Sequence, residues 1–226
     1  MHASLHCLIG LFLASVVFSA SGAHAGESDA TYSEATSIEI KASNPILHGL
    51  EIQSMVDEKR HYLMLSGPDC FSMPKTATDQ GPTSYLSWYR VRKPDWESKK
   101  EVSLATTDQD RVQAFRLGKP RFFLMPAQVL ATGRPQDVPE RLNHFLVFET
   151  VTESDQPASL IGVPAAEWHH DEQFPIKSKD SWLIITPETG GASEKDSLSM
   201  LDQFGLNKLS LGKQSYRVKL ARPISN

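Results

Sequence analysis

The 226-residue chain predicts an all-β fold, a sandwich or partly closed barrel built from an internal duplication. Three observations carry that prediction. Short runs of residues alternate apolar with polar, the period of a strand with one face buried. No window sustains a helical period. Two distant stretches also repeat each other without a gap: TDQDRVQAFRLGK at 107–119 and LDQFGLNKLSLGK at 201–213. Asp108 and Asp202 are 94 positions apart, and so are Leu117 and Leu211. A small four-bladed propeller is the alternative, because four units of about 45 residues have the length of blades.

The first element is a targeting segment. An apolar run over 8–18 is followed by small residues and then Ala23-His24-Ala25, the pattern of a cleavage site. The run is shorter than a membrane span. Residues 1–25 are therefore expected to be a signal peptide, 26–34 a flexible leader, and 35–226 a β-rich domain. The expected location is periplasmic or secreted, with no transmembrane segment left after cleavage. The net charge of −4 is dispersed, with no basic stripe for nucleic acid or for an anionic membrane. Cys7 leaves with the signal, so Cys70 stands alone and is expected to be buried.

The strand-like runs follow in order: SIEIKA, HYLMLS, YLSWYRV, VSLAT, FRLGK, HFLVFETV, SWLIIT, LSMLDQ, LNKLSLG and YRVKLA. They are rich in β-branched, aromatic and aliphatic residues and are separated by Gly, Pro, Asp and Ser. The best helical candidate, near 138–143, is short enough to be a single turn.

The duplication aligns Ser87-Trp88 with Ser181-Trp182, Asp108-Gln109 with Asp202-Gln203, and Leu117-Gly118-Lys119 with Leu211-Gly212-Lys213. A finer repeat lies beneath it. Leu65, Pro68, Phe71, Met73 and Pro74 recur as Leu117, Pro120, Phe123, Met125 and Pro126, and Leu86-x-Trp88-Tyr89 recurs as Leu142-x-His144-Phe145. The chain thus divides into four quasi-repeats, 36–76, 85–129, 142–176 and 180–226. The Asp of each Asp-Gln word is expected to cap a turn by accepting backbone N–H groups, and Gly205 to supply positive φ. Trp88, Tyr89, Phe145 and Trp182 are expected to fill the core.

These words, with LNHFLVFETV, DQFG at 202–205 and CFSMPK followed by YLSWYRV, resemble an uncharacterised family of exported β-rich repeat proteins, a domain of unknown function. The resemblance spans nearly all of the expected mature chain and implies export and β repeats. It brings no activity and no catalytic residues. Trp88 and Trp182 stand where the family pattern opens with His.

The chemistry-bearing residues are few. EWHHDEQF at 167–174 holds His169, His170, Asp171 and Glu172, all metal-ligand types. On one continuous strand only His169 with Asp171, or His170 with Glu172, would share a face, which is short of the three or four ligands zinc takes. Ser72-x-x-Lys75 and Ser210-x-x-Lys213 lack the companion motifs of a serine acyl-transfer site. Trp96 and Trp168 lie beside charges outside the repeated words and are the candidates for surface binding. The expectation is an exported, non-enzymatic module without a cofactor, contacting a protein or glycan partner. The alternative is a secreted metal-assisted hydrolase centred on 169–172.

Overall fold

The computed structural model describes residues 34–42, 46–74, 85–106, 109–130, 142–151, 159–169, 172–188 and 197–224. The segments read as signal and leader, the helical candidate and Asp108 lie wholly or mostly outside these residues. Twelve strands form: β1 (Glu34–Ala42), β2 (Ile46–Ser54), β3 (His61–Pro74), β4 (Tyr85–Val91), β5 (Glu101–Thr106), β6 (Gln109–Val129), β7 (His144–Thr150), β8 (Leu160–His169), β9 (Glu172–Phe174), β10 (Trp182–Glu188), β11 (Ser197–Asp202) and β12 (Gly205–Pro223). Among the described residues there is no helix, so none is long and apolar enough to cross a membrane.

The ten strand-like runs all fall in these strands to within one residue at the ends, and three strands went unread. β2 carries Gly49 amid its alternation, and β9 is three residues long. β8 contains Gly162 and Pro164, both signals of a break. The fold needs each of them. A Cβ on Gly162 would meet Leu183 at 2.9 Å, so glycine lets β10 approach.

Every pairing is antiparallel. The order β1–β3–β4–β6–β7–β8–β10–β12 returns to β1 and closes a ring. The ring is not an even barrel. β2 bridges β3 and β8, β5 bridges β6 and β12, β11 bridges β12 and β6, and β9 lies on β8. A propeller would keep each unit as its own blade. Here neighbouring units pair directly, β3 with β4, β6 with β7 and β12 with β1, so the partly closed barrel is the arrangement formed.

Long strands serve several neighbours in turn, and prolines mark the exchanges. β3 pairs β2 up to Gly67 and β1 from Cys70, with Pro68 between. One edge of β6 pairs β5 up to Arg116 and β4 from Phe122, with Pro120 between. Its other edge pairs β7 up to Leu124 and β11 from Gln128, with Pro126 between. β8 pairs β10 up to Gly162 and β2 from Ala165, with Pro164 between. Proline has no N–H to give a ladder, and each sits where no ladder asks for one.

Three clusters of buried side chains fill the fold. Cys70, Leu86, Trp88, Leu124, Phe145 and Val147 form one, and Leu65, Tyr89, Phe123, Leu146, Phe148 and Trp182 belong to a second. β4 and β7 thus bury both faces, which is why YLSWYRV and HFLVFETV read as nearly continuous apolar runs. Ile40, Phe71, Ala127, Met200 and Leu209 form the third. Cys70 is buried with a free thiol, as expected, and burial pushes that thiol's pKa well up.

The repeat is real in the backbone, but the positions it pairs differ from those the sequence words align. β6 and β12 correspond at the offset of 94, both ending at equivalent positions, Val129 and Pro223. Yet Tyr85 faces Ala127 while Trp182 faces Ala221, the equivalent of Ala127. Trp182 therefore matches Tyr85, not Trp88. The odd, three-residue difference puts Trp88 and Trp182 on opposite faces, and they join different clusters. The hairpin tips differ too. Thr106 faces Gln109 as Asp202 faces Gly205, so Asp202 takes the place of Thr106. The finer repeat slips in the same way: its β3 and β6 words keep their spacing, but Trp88 matches Val147, three residues past the His144 that the sequence words align with it. Leu65 opposite Val91 and Cys70 opposite Trp88 recur as Leu117 opposite Thr150 and Phe122 opposite Val147.

Candidate functional site

The site forms where β6 exchanges β7 for β11. Between Leu124, opposite Phe145, and Gln128, opposite Leu201, this edge of β6 has no strand beside it. A cleft of about 480 Å³ opens there. Pro126 and Gln128 form its floor, Leu142 and His144 one wall, Leu201, Asp202 and Gln203 the facing wall, and Phe174, Pro175 and Lys177 a third side. Its size and its apolar lining with a few convergent polar groups suit a small-molecule site.

Asn143 sets the third side. Its Oδ1 accepts the backbone N–H groups of Lys177 at 2.7 Å and Ser178 at 3.0 Å, and its Nδ2 donates to Ser178 O at 2.5 Å. This clamp holds 174–178 against the start of β7. Phe174 meets the His144 ring edge-on at 5.3 Å.

The facing wall is the β11–β12 turn. Asp202 is a corner residue, as its sequence setting predicted: Oδ1 accepts Phe204 N–H at 2.9 Å. Oδ2 accepts the Tyr89 hydroxyl at 2.8 Å, which fastens the tip to β4. Burial raises the Asp202 carboxyl pKa, and the bonds from Tyr89, Ser87 and the backbone of Phe204 and Gly205 oppose that rise. Phe204 folds back to stack on His48 at 3.8 Å. Gly205 closes the turn at φ +115°, the positive φ expected of it.

Behind the cleft sits Glu167, fully buried. Gln203 Nε2 donates to its Oε1. Its Oε2 lies 3.3 Å from His144 Nδ1 without hydrogen-bond geometry and has no partner. Burial pushes the Glu167 carboxyl up to about 7. It holds the His144 imidazole down at about 3, aided by the Lys177 charge. His144 is therefore neutral near pH 7, and the contact is not an ion pair. In the floor, Gln128 Oε1 is also buried without a partner.

The residues singled out in the sequence fall elsewhere. Trp96 is a packing residue: its ring stacks on His61 at 3.9 Å and meets Phe148 at 5.6 Å. Trp168 lies on β8 under the Arg60 guanidinium, 3.9 Å from the ring centre. His170 and Asp171 lie outside the described residues. His169 ends β8 and Glu172 begins β9, and the two are register partners across that antiparallel pair. Among the described residues, no three His, Cys, Asp or Glu side chains converge as metal ligands. The member of that dense cluster nearest the cleft is Glu167, at its head, which lies behind the cleft-lining His144. Gln128 and Gln203 carried no signal beyond the Asp-Gln word at 202–203.

Residues 85–218 match the family described as a repeat of unknown function, DUF7450. No curated protein and no solved structure matches the chain. The matched span is more than half of the sequence and runs from the first strand of the second unit to β12, through every wall of the cleft. The chain belongs to the DUF7450 family.

Proposed function

We propose that this protein is an exported, non-enzymatic binding module and that the cleft between β7 and β11 is where its partner binds. The carrying observation is the gap in the β6 ladder, where a cleft of small-molecule size opens with Leu142, Phe174 and Pro175 in its lining. The reactive groups nearby support binding over catalysis. The Cys70 thiol is held in its protonated form by burial. His144 titrates too low to serve as a base near neutrality. Asp202 is occupied by the turn it caps. Export rests on the segment ending Ala23-His24-Ala25.

A photo-crosslinking residue at Leu201, in the cleft wall, tests the reading in the native host. An adduct from that position, and none from the exposed Val112 on β6, is expected. Equal labelling at both, or none at Leu201, refutes the assignment. Intact mass of the natively expressed protein should give an N-terminus near Gly26. A cytoplasmic chain retaining Met1 refutes export.

A further inference from the structure

We infer that the β11–β12 turn is a pH-sensitive wall of the cleft, held closed while the buried Glu167 carries a proton and loosened when that proton leaves. The device regulates the site proposed above and rests on that reading.

Three successive residues fasten the turn to three different strands. Asp202 accepts from Tyr89 on β4, Gln203 donates to Glu167 on β8, and Phe204 stacks on His48 of β2. Leu201, Asp202 and Gln203 are at the same time the facing wall of the cleft. The middle fastening differs from the other two. It ends on a fully buried carboxyl whose Oε1 accepts from Gln203 and whose Oε2 has no partner. A protonated carboxyl is tolerated in such a place. A carboxylate there is a buried charge with half its acceptors unserved, a costly state.

The titratable groups that face Glu167 come from four directions. From β7, His144 Nδ1 lies 3.3 Å away without hydrogen-bond geometry and stays neutral. From β2 comes His48, stacked on Phe204. From the turn and β4 come Asp202 and Tyr89, bonded to each other. From segment 174–178 comes Lys177, an exposed residue of the cleft lining. An ionised Oε2 gains its missing donors from water, and the cleft in front of it is closed at that point by Gln203. Gly205 is the pivot of the wall. It holds φ at +115°, and no atom lies within 4 Å of where its Cβ would stand, so there is open space beside the turn.

Burial holds the Glu167 carboxyl up at about 7, which places the change near neutrality. A wall opened to water returns that carboxyl to its ordinary 4.5. The open state therefore gains on the closed one as pH rises from 4.5 to 7, and gains no more above 7. His144, held down at about 3, would act with the opposite sign if the same motion hydrated it. Its cover is Phe174 and the segment clamped by Asn143, which lie outside the turn.

Backbone hydrogen exchange tests this without any ligand. Opening of 201–206, corrected for the intrinsic effect of pH on exchange, is followed from pH 5 to 8. Residues 183–185 of β10 serve as the reference for global unfolding. Opening of 201–206 should rise at least about tenfold from pH 5 to 7, level off above 7, and exceed any change at 183–185. Glu167→Gln keeps a partner for Gln203 and cannot ionise, so its turn should open equally at every pH. Asp202→Asn, the control for the other buried carboxyl, should keep the wild-type rise. A flat wild-type profile, an equal rise at 183–185, or a rise that survives in Glu167→Gln overturns the inference. So does a rise that is lost in Asp202→Asn, or one that runs towards low pH, the mark of His144. The crosslink from Leu201 decides the binding reading separately.

Discussion

Two units of this chain, β4–β5–β6 and β10–β11–β12, are built to one plan with different side chains at matching addresses. Their strands have seven, six and twenty-one residues in one and seven, six and nineteen in the other. The long strands agree at the sequence offset of 94, but the opening strands are out by three and the hairpins by two. A β unit is defined by which backbone lies beside which. Any side chain of suitable bulk fills a core position, so identities drift while pairing persists. Trp88 and Trp182 look like one residue written twice and are two residues with separate duties.

The largest expected effect separates those duties. Trp88 is fully buried, and its indole N–H donates to Ser72 Oγ at 2.6 Å, which also lies 2.6 Å from Ser37 Oγ. Trp182 opens its strand and donates to Lys179 O at 3.0 Å. Trp88→Ala should cost about 5 kcal/mol and Trp182→Ala about 3 kcal/mol, the two ends of the range for such truncations. Urea denaturation measures both. Equal costs would restore the equivalence that the registers deny.

Next comes the link between the third unit and the tip of the fourth, Glu167 with Gln203. Burial holds the Glu167 carboxyl up at about 7 against an ordinary 4.5. Between those values the folded chain keeps a proton that the unfolded chain has released. The stability this contributes is full below pH 4.5 and is lost as pH rises to 7. Glu167→Gln should therefore gain on the wild type by about 3 kcal/mol over that window. His144, held down at about 3, acts in the opposite sense, its contribution being lost as pH falls from 6.5. A stability difference between variant and wild type that is flat from pH 4.5 to 7 would mean that Glu167 is ionised throughout.

A smaller effect is expected where the second unit grips the fourth. Tyr89→Phe removes the hydroxyl that Asp202 accepts and should cost about 1–2 kcal/mol. Combining it with Asp202→Asn should cost less than the sum of the two, because the partners share one bond. Full additivity in thermal melts would show that the turn stands without β4. The smallest effect tests the exchange points. Pro164→Ala should change stability by less than about 1 kcal/mol, since no ladder waits for the N–H it restores. Val163→Pro, one position away, should cost about 3 kcal/mol or more.

The sequence disclosed the β class, the buried aromatics, the buried Cys70 and the Asp202 corner, because each leaves a local mark: alternation, bulk, or a turn residue before Gly205. It did not disclose β8, since Gly162 and Pro164 mean a break by local rules and an exchange of neighbours in the fold. The cleft was illegible for the same reason. Its floor is an absence in a ladder, created by where β7 starts and β11 ends, and no residue in between announces it. The dense EWHHDEQF stretch did point to the right neighbourhood. The member that matters there is Glu167, because strand alternation turns it inward.

The pairing of β1 with β12, Glu34 opposite Lys219, also has a consequence for how the chain reaches this state. The contact joins segments separated by nearly the whole described chain, so its loop-closure entropy is among the highest the fold must overcome. Folding should accordingly be slow, in the millisecond-to-second range of β proteins with high contact order. Until β1 docks, β3 and β12 each present an open edge able to recruit the same strand from another copy. Dilution during refolding, more than temperature, should decide the yield of closed rings.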